Sequence, residues 1–311
     1  MTSVVLVEDR MVDQKNITPV LSVNTVEGSF KNKDGLVLFT RQWRTNKEEP
    51  TALIFISHGF GEHSGRYSDF LVPALVAEGF LVFSHDHVGH GQSDGERAQI
   101  DSFETYVRDV YQHIDEMAAK YPSLPVFLFG HSMGGAIAIL TAMERPKFFT
   151  GVVLSAPAIE LDPKSDTKCM RCLGRLLLHI APSTQVIAAI DPAVTCRNSD
   201  KVEEYRTDLL VWHEGIKVGW GLALAHAVDK IQANIANIDW PFIVLHGSAD
   251  NLTMVDGSVQ LEQVAKSSDK TIKIYEGYYH ELLNEPRKYS EVVKSDIIEW
   301  LRKRLPGGEL Y

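Results

Sequence analysis

The feature that most constrains this chain is a set of short, almost unbroken apolar runs: "TALIFISHG", "FLVFSHD", "PVFLFGHS" and "GVVLSAP". Each is too short for a helix that fills a core. Each fits a strand buried on both faces. Between them lie segments with helical spacing: "YSDFLVPALVAEG", "FETYVRDVYQHIDEMAAKYP" and "MGGAIAILTAMERP". In the second, Phe103, Val107, Val110, Ile114 and Met117 fall on one helical face. Strand and helix alternate with short connections, which predicts a parallel sheet covered by helices on both sides. "LVLFTRQW", after a turn at Gly35, predicts one earlier strand. The rhythm stops after Pro157. From about Asp162 to Asn237 no buried strand is found, only helical stretches such as "CMRCLGRLLLHIA" and "GWGLALAHAVDKIQANI". "PFIVLHGSAD" and "TIKIYEG" then restore strands, and "SEVVKSDIIEWLRKRL" closes as an amphipathic helix. The expected organisation is one α/β core from residues 1–160 and 237–311, with a helical cap inserted at 161–236.

Charge narrows the partners. Against 31 basic residues stand 41 acidic ones, a net charge of −10. Nucleic-acid affinity rests largely on Lys and Arg against phosphate, so nucleic acid is not expected as a partner. An anionic lipid surface would repel this chain, so membrane contact is expected through apolar surface. The three cysteines, Cys169, Cys172 and Cys196, do not make a disulfide framework and fit a reducing compartment. Cys169 and Cys172 are read as neighbours on one helical face. The N-terminal "MTSVVLVEDRMVDQKN" has a short apolar run broken by Glu8, Asp9 and Arg10, so no signal peptide is expected there. No segment is apolar for long enough to span a membrane. The expected location is the cytoplasm, with peripheral membrane association.

"GHSMGG" places Ser132 between Gly130 and Gly134, as G-x-S-x-G. The pattern alone is common. Here it follows a buried strand and opens a helix of small residues, and a serine in that turn projects its hydroxyl above the sheet. The alternative is an ordinary strand–helix turn with a serine N-cap. A serine hydroxyl needs a base. His280 lies just past "TIKIYEG" and Asp250 just past "PFIVLHG", both at the carboxyl edge of the sheet, where such sites are built. The order Ser132, Asp250, His280 is the one expected of an α/β-hydrolase. His131 is expected to point away from the serine, and His246 to lie before the acid loop. The backbone N–H groups of Met133 and of Phe60, in "SHGFGEHSG", are the candidates for an oxyanion hole.

"FSHDHVGHGQSDG" crowds His85, His87 and His90 into six residues and raises the question of a metal. Strand alternation turns Asp86 to the opposite face from its neighbours, and Gly89 stands where a zinc hydrolase carries an acid. No metal is expected, and no cofactor.

"SHGFGEHSGRY", "HDHVGHGQSDGER", "LFGHSMGGAIAI" and "GSAD…KIYEGYYHELLNE" together resemble the monoacylglycerol lipases of the α/β-hydrolase superfamily. The resemblance runs from about Gly28 to Leu305 and is weakest in the insertion. It implies an α/β-hydrolase fold with a helical cap. It also implies hydrolysis of monoacylglycerols through Ser132, Asp250 and His280, with Phe60 and Met133 forming the oxyanion hole. By position, Glu62, Arg66 and Tyr205 match residues near that family's glycerol-binding end. A mobile cap that meets the membrane is implied as well. Three positions depart from vertebrate-type members. Thr253 and Trp212 stand where those carry cysteines, and Leu283 replaces a second histidine. On that basis the chain looks more like the bacterial or plant branch, whose relatives also act on lysophospholipids. A lysophospholipase or general carboxylesterase is therefore the alternative, and a non-catalytic binding module the alternative of another class.

Overall fold

A computed structural model describes residues 5–7, 22–45, 49–162 and 167–308. Most of the N-terminal stretch discussed above, and residues 163–166 of the insertion, lie outside the described residues. Eleven strands and eight α-helices follow in the order β1 (Val5–Val7), β2 (Val23–Lys31), β3 (Val37–Thr45), β4 (Ala52–Ser57), α1 (Leu71–Ala77), β5 (Phe80–His85), α2 (Phe103–Lys120), β6 (Val126–His131), α3 (Met133–Glu144), β7 (Gly151–Ser155), α4 (Lys168–Leu178), β8 (Gln185–Ile187), α5 (Ser199–Thr207), β9 (Ile216–Lys217), α6 (Val218–Asn234), β10 (Phe242–Gly247), α7 (Val255–Val264), β11 (Lys270–Tyr275) and α8 (Arg287–Arg302).

Nine strands form one sheet in the order β1-β11-β10-β7-β6-β4-β5-β3-β2. Only β3 runs against the others, pairing antiparallel with both β2 and β5. The apolar runs read as continuous because both sheet faces are buried. In β4, Leu53 and Phe55 pack under α2, α3 and α6, while Ile54 and Ile56 pack under α1 and α8. The five residues assigned to one face of α2 are all buried there, and Ser102 caps that helix by accepting from the Glu104 N–H. The chain leaves β4 to form β5 on one side and then returns to form β6 on the other. The crevice that opens at such a reversal lies beyond the carboxyl ends of β4 and β6. The loops after both strands meet there.

The sequence reading missed β1, β2, α5 and α7. It also missed a two-stranded antiparallel sheet, β8 with β9, inside the insertion. β8 is wholly exposed, so it carries no apolar alternation by which it could be found.

Candidate active site

Ser132 is the single residue between β6 and α3. Its backbone sits at φ 55° and ψ −118°. A non-glycine residue is rarely found there, and the strain costs about 1–3 kcal/mol. The turn is held by the Ser132 N–H donating to the Ser155 carbonyl at 3.0 Å, and by the Ala158 N–H donating to the Ser132 carbonyl at 3.0 Å. Its side chain does not cap α3, so the N-cap alternative does not describe it. The close approach needs glycine. A Cβ on Gly130 would collide with the Gly134 carbonyl, and one on Gly134 with the carbonyls of Ser57 and His58.

Asp250 and His280 meet. The His280 Nδ1–H donates to Asp250 Oδ2 at 2.7 Å. Asp250 Oδ1 accepts from the backbone N–H groups of Leu252 (2.7 Å) and Thr253 (3.1 Å). The Thr253 hydroxyl adds a bond to Oδ2 at 2.9 Å. Burial pushes the Asp250 carboxyl up, but His280 and His246 outweigh it and hold the acid well below its usual range. Burial pushes His280 down, and the Asp250 carboxylate reverses this, leaving the imidazole above its ordinary value.

Two histidines set aside on sequence stand closer than expected. His246 Nε2 lies 3.2 Å from Asp250 Oδ2, and its Nδ1 contacts the Ser258 hydroxyl at 2.7 Å. His131 does not leave the site, because its ring lies 4.7 Å from that of His280. Its Nδ1–H donates to the Ser155 carbonyl at 3.1 Å. Burial, with the nearby His280, pushes it down to about 4.

Ser132, His131, His280, Phe60 and Met133 all line one cavity of about 490 Å³. Its apolar wall includes Ile187, Ile190, Ile216, Trp220, Leu224 and Leu252, mostly from the inserted segment. Met133 is the first residue of α3, where the N–H has no acceptor within the helix. Trp220 of α6 packs on the Phe60 ring with centroids 4.0 Å apart.

Glu62, Arg66 and Tyr205 also line this cavity, but the two charged groups are already engaged. Glu62 accepts from the Gly59 N–H at 2.5 Å and the Tyr67 hydroxyl at 2.6 Å. Arg66 pairs with Glu62 at 2.6 Å and grips Glu281 with both terminal nitrogens, at 2.7 and 2.9 Å. Burial opposes the Glu62 charge, yet Arg66 keeps that carboxyl far below its usual range. Tyr205 stacks on the Arg66 guanidinium at 4.9 Å. Glu62 therefore braces the loop that carries Phe60, and Glu281 ties that loop to His280. Neither Glu281 nor Tyr67 was singled out from sequence.

The clustered histidines form part of the core. His87 Nε2 contacts the Ser57 hydroxyl at 2.9 Å, and the His87 N–H donates to His58 Nε2 at 2.9 Å. His85 packs against Phe55 and His113. Asp86 turns away to accept from the Ser64 and Gln92 N–H groups. Among the described residues no three His, Cys, Asp or Glu side chains are placed to hold a metal.

Residues 48–287 match the family described as serine aminopeptidase, S33. The chain is 46% identical to the monoglyceride lipase of Homo sapiens over 273 residues, covering 88% of this chain and 89% of that one. It is 30% identical to the monoacylglycerol lipase of Mycolicibacterium smegmatis, covering 92% and 100%. The expected leaning toward a bacterial or plant branch is thus corrected: three local departures weigh less than the identity spread along the chain. The crystal structure of Paleococcus ferrophilus monoacylglycerol lipase superposes with a TM-score of 0.76 at 34% identity, covering 86% of this chain and 99% of that one. A strained serine turn, a paired acid and imidazole, and an inserted apolar wall accompany this similarity, and the chain belongs to the monoglyceride lipases of the serine aminopeptidase S33 family.

Proposed function

We propose that this protein is a serine hydrolase that cleaves monoacylglycerols to free fatty acid and glycerol. The observation that carries the reading is a serine on a strained strand–helix turn sharing one apolar-walled cavity with His280, which is itself paired with Asp250. In the proposed cycle His280 takes the Ser132 proton as Oγ attacks the ester carbonyl. Asp250 fixes the imidazole tautomer and stabilises the imidazolium. The N–H groups of Phe60 and Met133 receive the developing oxyanion, each contributing roughly 3 kcal/mol. His280 then protonates the departing glycerol. Water, deprotonated by His280, releases the fatty acid and restores Ser132. Side chains, backbone and water balance every step, so the cycle needs no cofactor.

Glu62 and Arg66 act in this reading on the oxyanion loop rather than as free ligands for glycerol, while Tyr205 remains available to the polar end of the substrate. Residues 161–236 serve as a cap over a core made of the remaining chain. Of the large apolar side chains exposed among the described residues, Met170, Leu173, Leu176, Ile180, Val186, Ile187 and Leu209 belong to this cap. Ile187 is shared between that surface and the cavity wall. Among the described residues no helix is long and apolar enough to cross a membrane, so the cap is read as the face that meets a lipid surface from the cytoplasmic side.

The direct test is fatty-acid release from micellar monooleoylglycerol by wild type and Ser132→Ala, with lysophosphatidylcholine in parallel. Release by wild type, reduced by about 10⁴-fold or more in the variant, is expected. Faster turnover of lysophosphatidylcholine would replace the substrate assignment. Equal rates for the two proteins would remove Ser132 as nucleophile.

A further inference from the structure

α4 has no buried residue, and only Arg171, Gly174, Leu177 and Leu178 are half-buried. Its body-facing side is marked by Gly174, which lies against Leu222, and by Arg171, which pairs with Asp229 of α6. On the outward side Cys169, Cys172, Leu173 and Leu176, with Ile180 in the turn just past the helix, form a single stripe. The last three are 56%, 60% and 74% exposed. Both thiols on that stripe are free and exposed. Exposed Lys168 and Arg175 flank it. Cys196 differs in every respect. It is buried, donates to the Asn198 carbonyl at 3.6 Å, and is pushed up to about 11 by burial. The molecule therefore has two solvent-facing thiols, both on its most apolar exposed helix, and one sequestered thiol elsewhere.

We propose that Cys169 and Cys172 are S-acylation sites that take a long-chain acyl group from an acyl-coenzyme A donor. The inference rests on the reading of the cap as a lipid-facing surface. That surface is where a cysteine on an amphipathic helix meets both the donor and an acyl chain's own solvent. In the step, the cysteine sulfur attacks the acyl carbonyl and a protein thioester forms. The donor's thioester breaks, and the coenzyme leaves as its thiol, carrying the cysteine proton. No electrons are exchanged with an oxidant or reductant. The physical rationale is retention. One apolar helix face, or one acyl chain, gives only marginal and reversible membrane binding, whereas two signals together hold. Chains attached at positions 169 and 172 would enter the bilayer alongside Leu173, Leu176 and Ile180. The cap would stay on the surface in which the proposed substrates dissolve.

The test is metabolic labelling. The full chain is expressed in cultured eukaryotic cells fed a terminal-alkyne palmitate, then conjugated to a fluorophore. Ser132→Ala is run beside wild type, because an acyl-enzyme at Ser132 would also carry label. Label on both proteins, removed by neutral hydroxylamine, is expected. Cys169→Ser/Cys172→Ser should lose it about tenfold or more while keeping its turnover of a soluble ester, and Cys196→Ser should keep the label. Absence of thioester-linked label on wild type overturns the proposal. So does label that persists in the double variant, or two thiols found joined as a disulfide. Unmodified protein made in bacteria is sedimented with phosphatidylcholine vesicles as a separate arm. Binding there without label in cells defeats the acylation alone, while failure to bind defeats the lipid-facing reading beneath it. Where label is found, the labelled protein should partition onto vesicles about tenfold more strongly than the double variant.

Discussion

Asp250 receives five donors: two backbone N–H groups, the Thr253 hydroxyl, His280 and, at 3.2 Å, His246. A carboxylate so well supplied stays ionised through the working pH range, and its charge in turn raises His280. The imidazole must be neutral to accept a proton. Activity should therefore fall as pH drops through a value above the ordinary 6.5, not at or below it. A kcat/KM profile on a soluble ester should show that acid limb. In Asp250→Asn only the more distant Glu281 and Glu62 charges still oppose burial at His280, so the limb should move to lower pH while kcat falls by about 10⁴-fold. A limb that does not move would remove Asp250 as the partner of His280. The placement of Ser132, Asp250 and His280 at the carboxyl edge of the sheet was legible because each follows a strand, and a strand's end fixes where its loop begins. His246 and Glu281 were not legible. Whether they turn toward Asp250 and Arg66 depends on the loop path beyond the strand, and one-dimensional spacing does not encode that path. Glu62 and Arg66 do line the cavity, but both are engaged by protein partners that spacing could not show.

At the scale of elements, the strands of the sheet centre were readable because both their faces are apolar, whereas β2 carries an exposed and mostly polar pattern at the sheet edge. α3 shows the opposite limit. It is buried almost throughout, and its small residues, not any amphipathic stripe, let it lie against β6. α4 reads from sequence only as a helical stretch with two cysteines on one face, and the structure turns that face outward. That orientation is visible only once the neighbours are placed. Replacing Leu173 and Leu176 together by Asp should reduce binding to phosphatidylcholine vesicles by about tenfold or more, since each change removes an apolar chain from the interface and adds a charge. Turnover of a soluble ester should be unaffected. Unchanged vesicle binding would count against α4 as the contact.

The whole molecule stores an acid sensitivity. His58, His85, His87, His90, His113 and His131 are all held below the ordinary histidine value by burial, to about 3 for His90 and His113 and about 4 for His131. The unfolded chain takes up protons near pH 6.5 that the native state refuses. Stability is therefore full above 6.5 and is lost as pH falls toward these lowered values, by roughly 2 kcal/mol at pH 5 for each of His90, His113 and His131. His280 works in the opposite sense, because its raised value favours the native state below 6.5, but it is one group against six. Thermal unfolding followed from pH 8 to pH 5 should show Tm falling steeply below pH 6.5. A flat Tm over that window would mean that the cluster is hydrated or already charged in the native state.

The cap is also fastened to the loop that carries Phe60. The Trp212 N–H donates to the Gly61 carbonyl at 2.7 Å, and Asp208 meets His63 at 2.8 Å. The inserted segment and the Phe60 loop thus share a hydrogen-bonded seam. A chimera that grafts a relative's cap onto this core would have to bring a backbone donor for Gly61 and a carboxylate for His63. A graft chosen only to reshape the cavity wall would disturb the Phe60 loop as well.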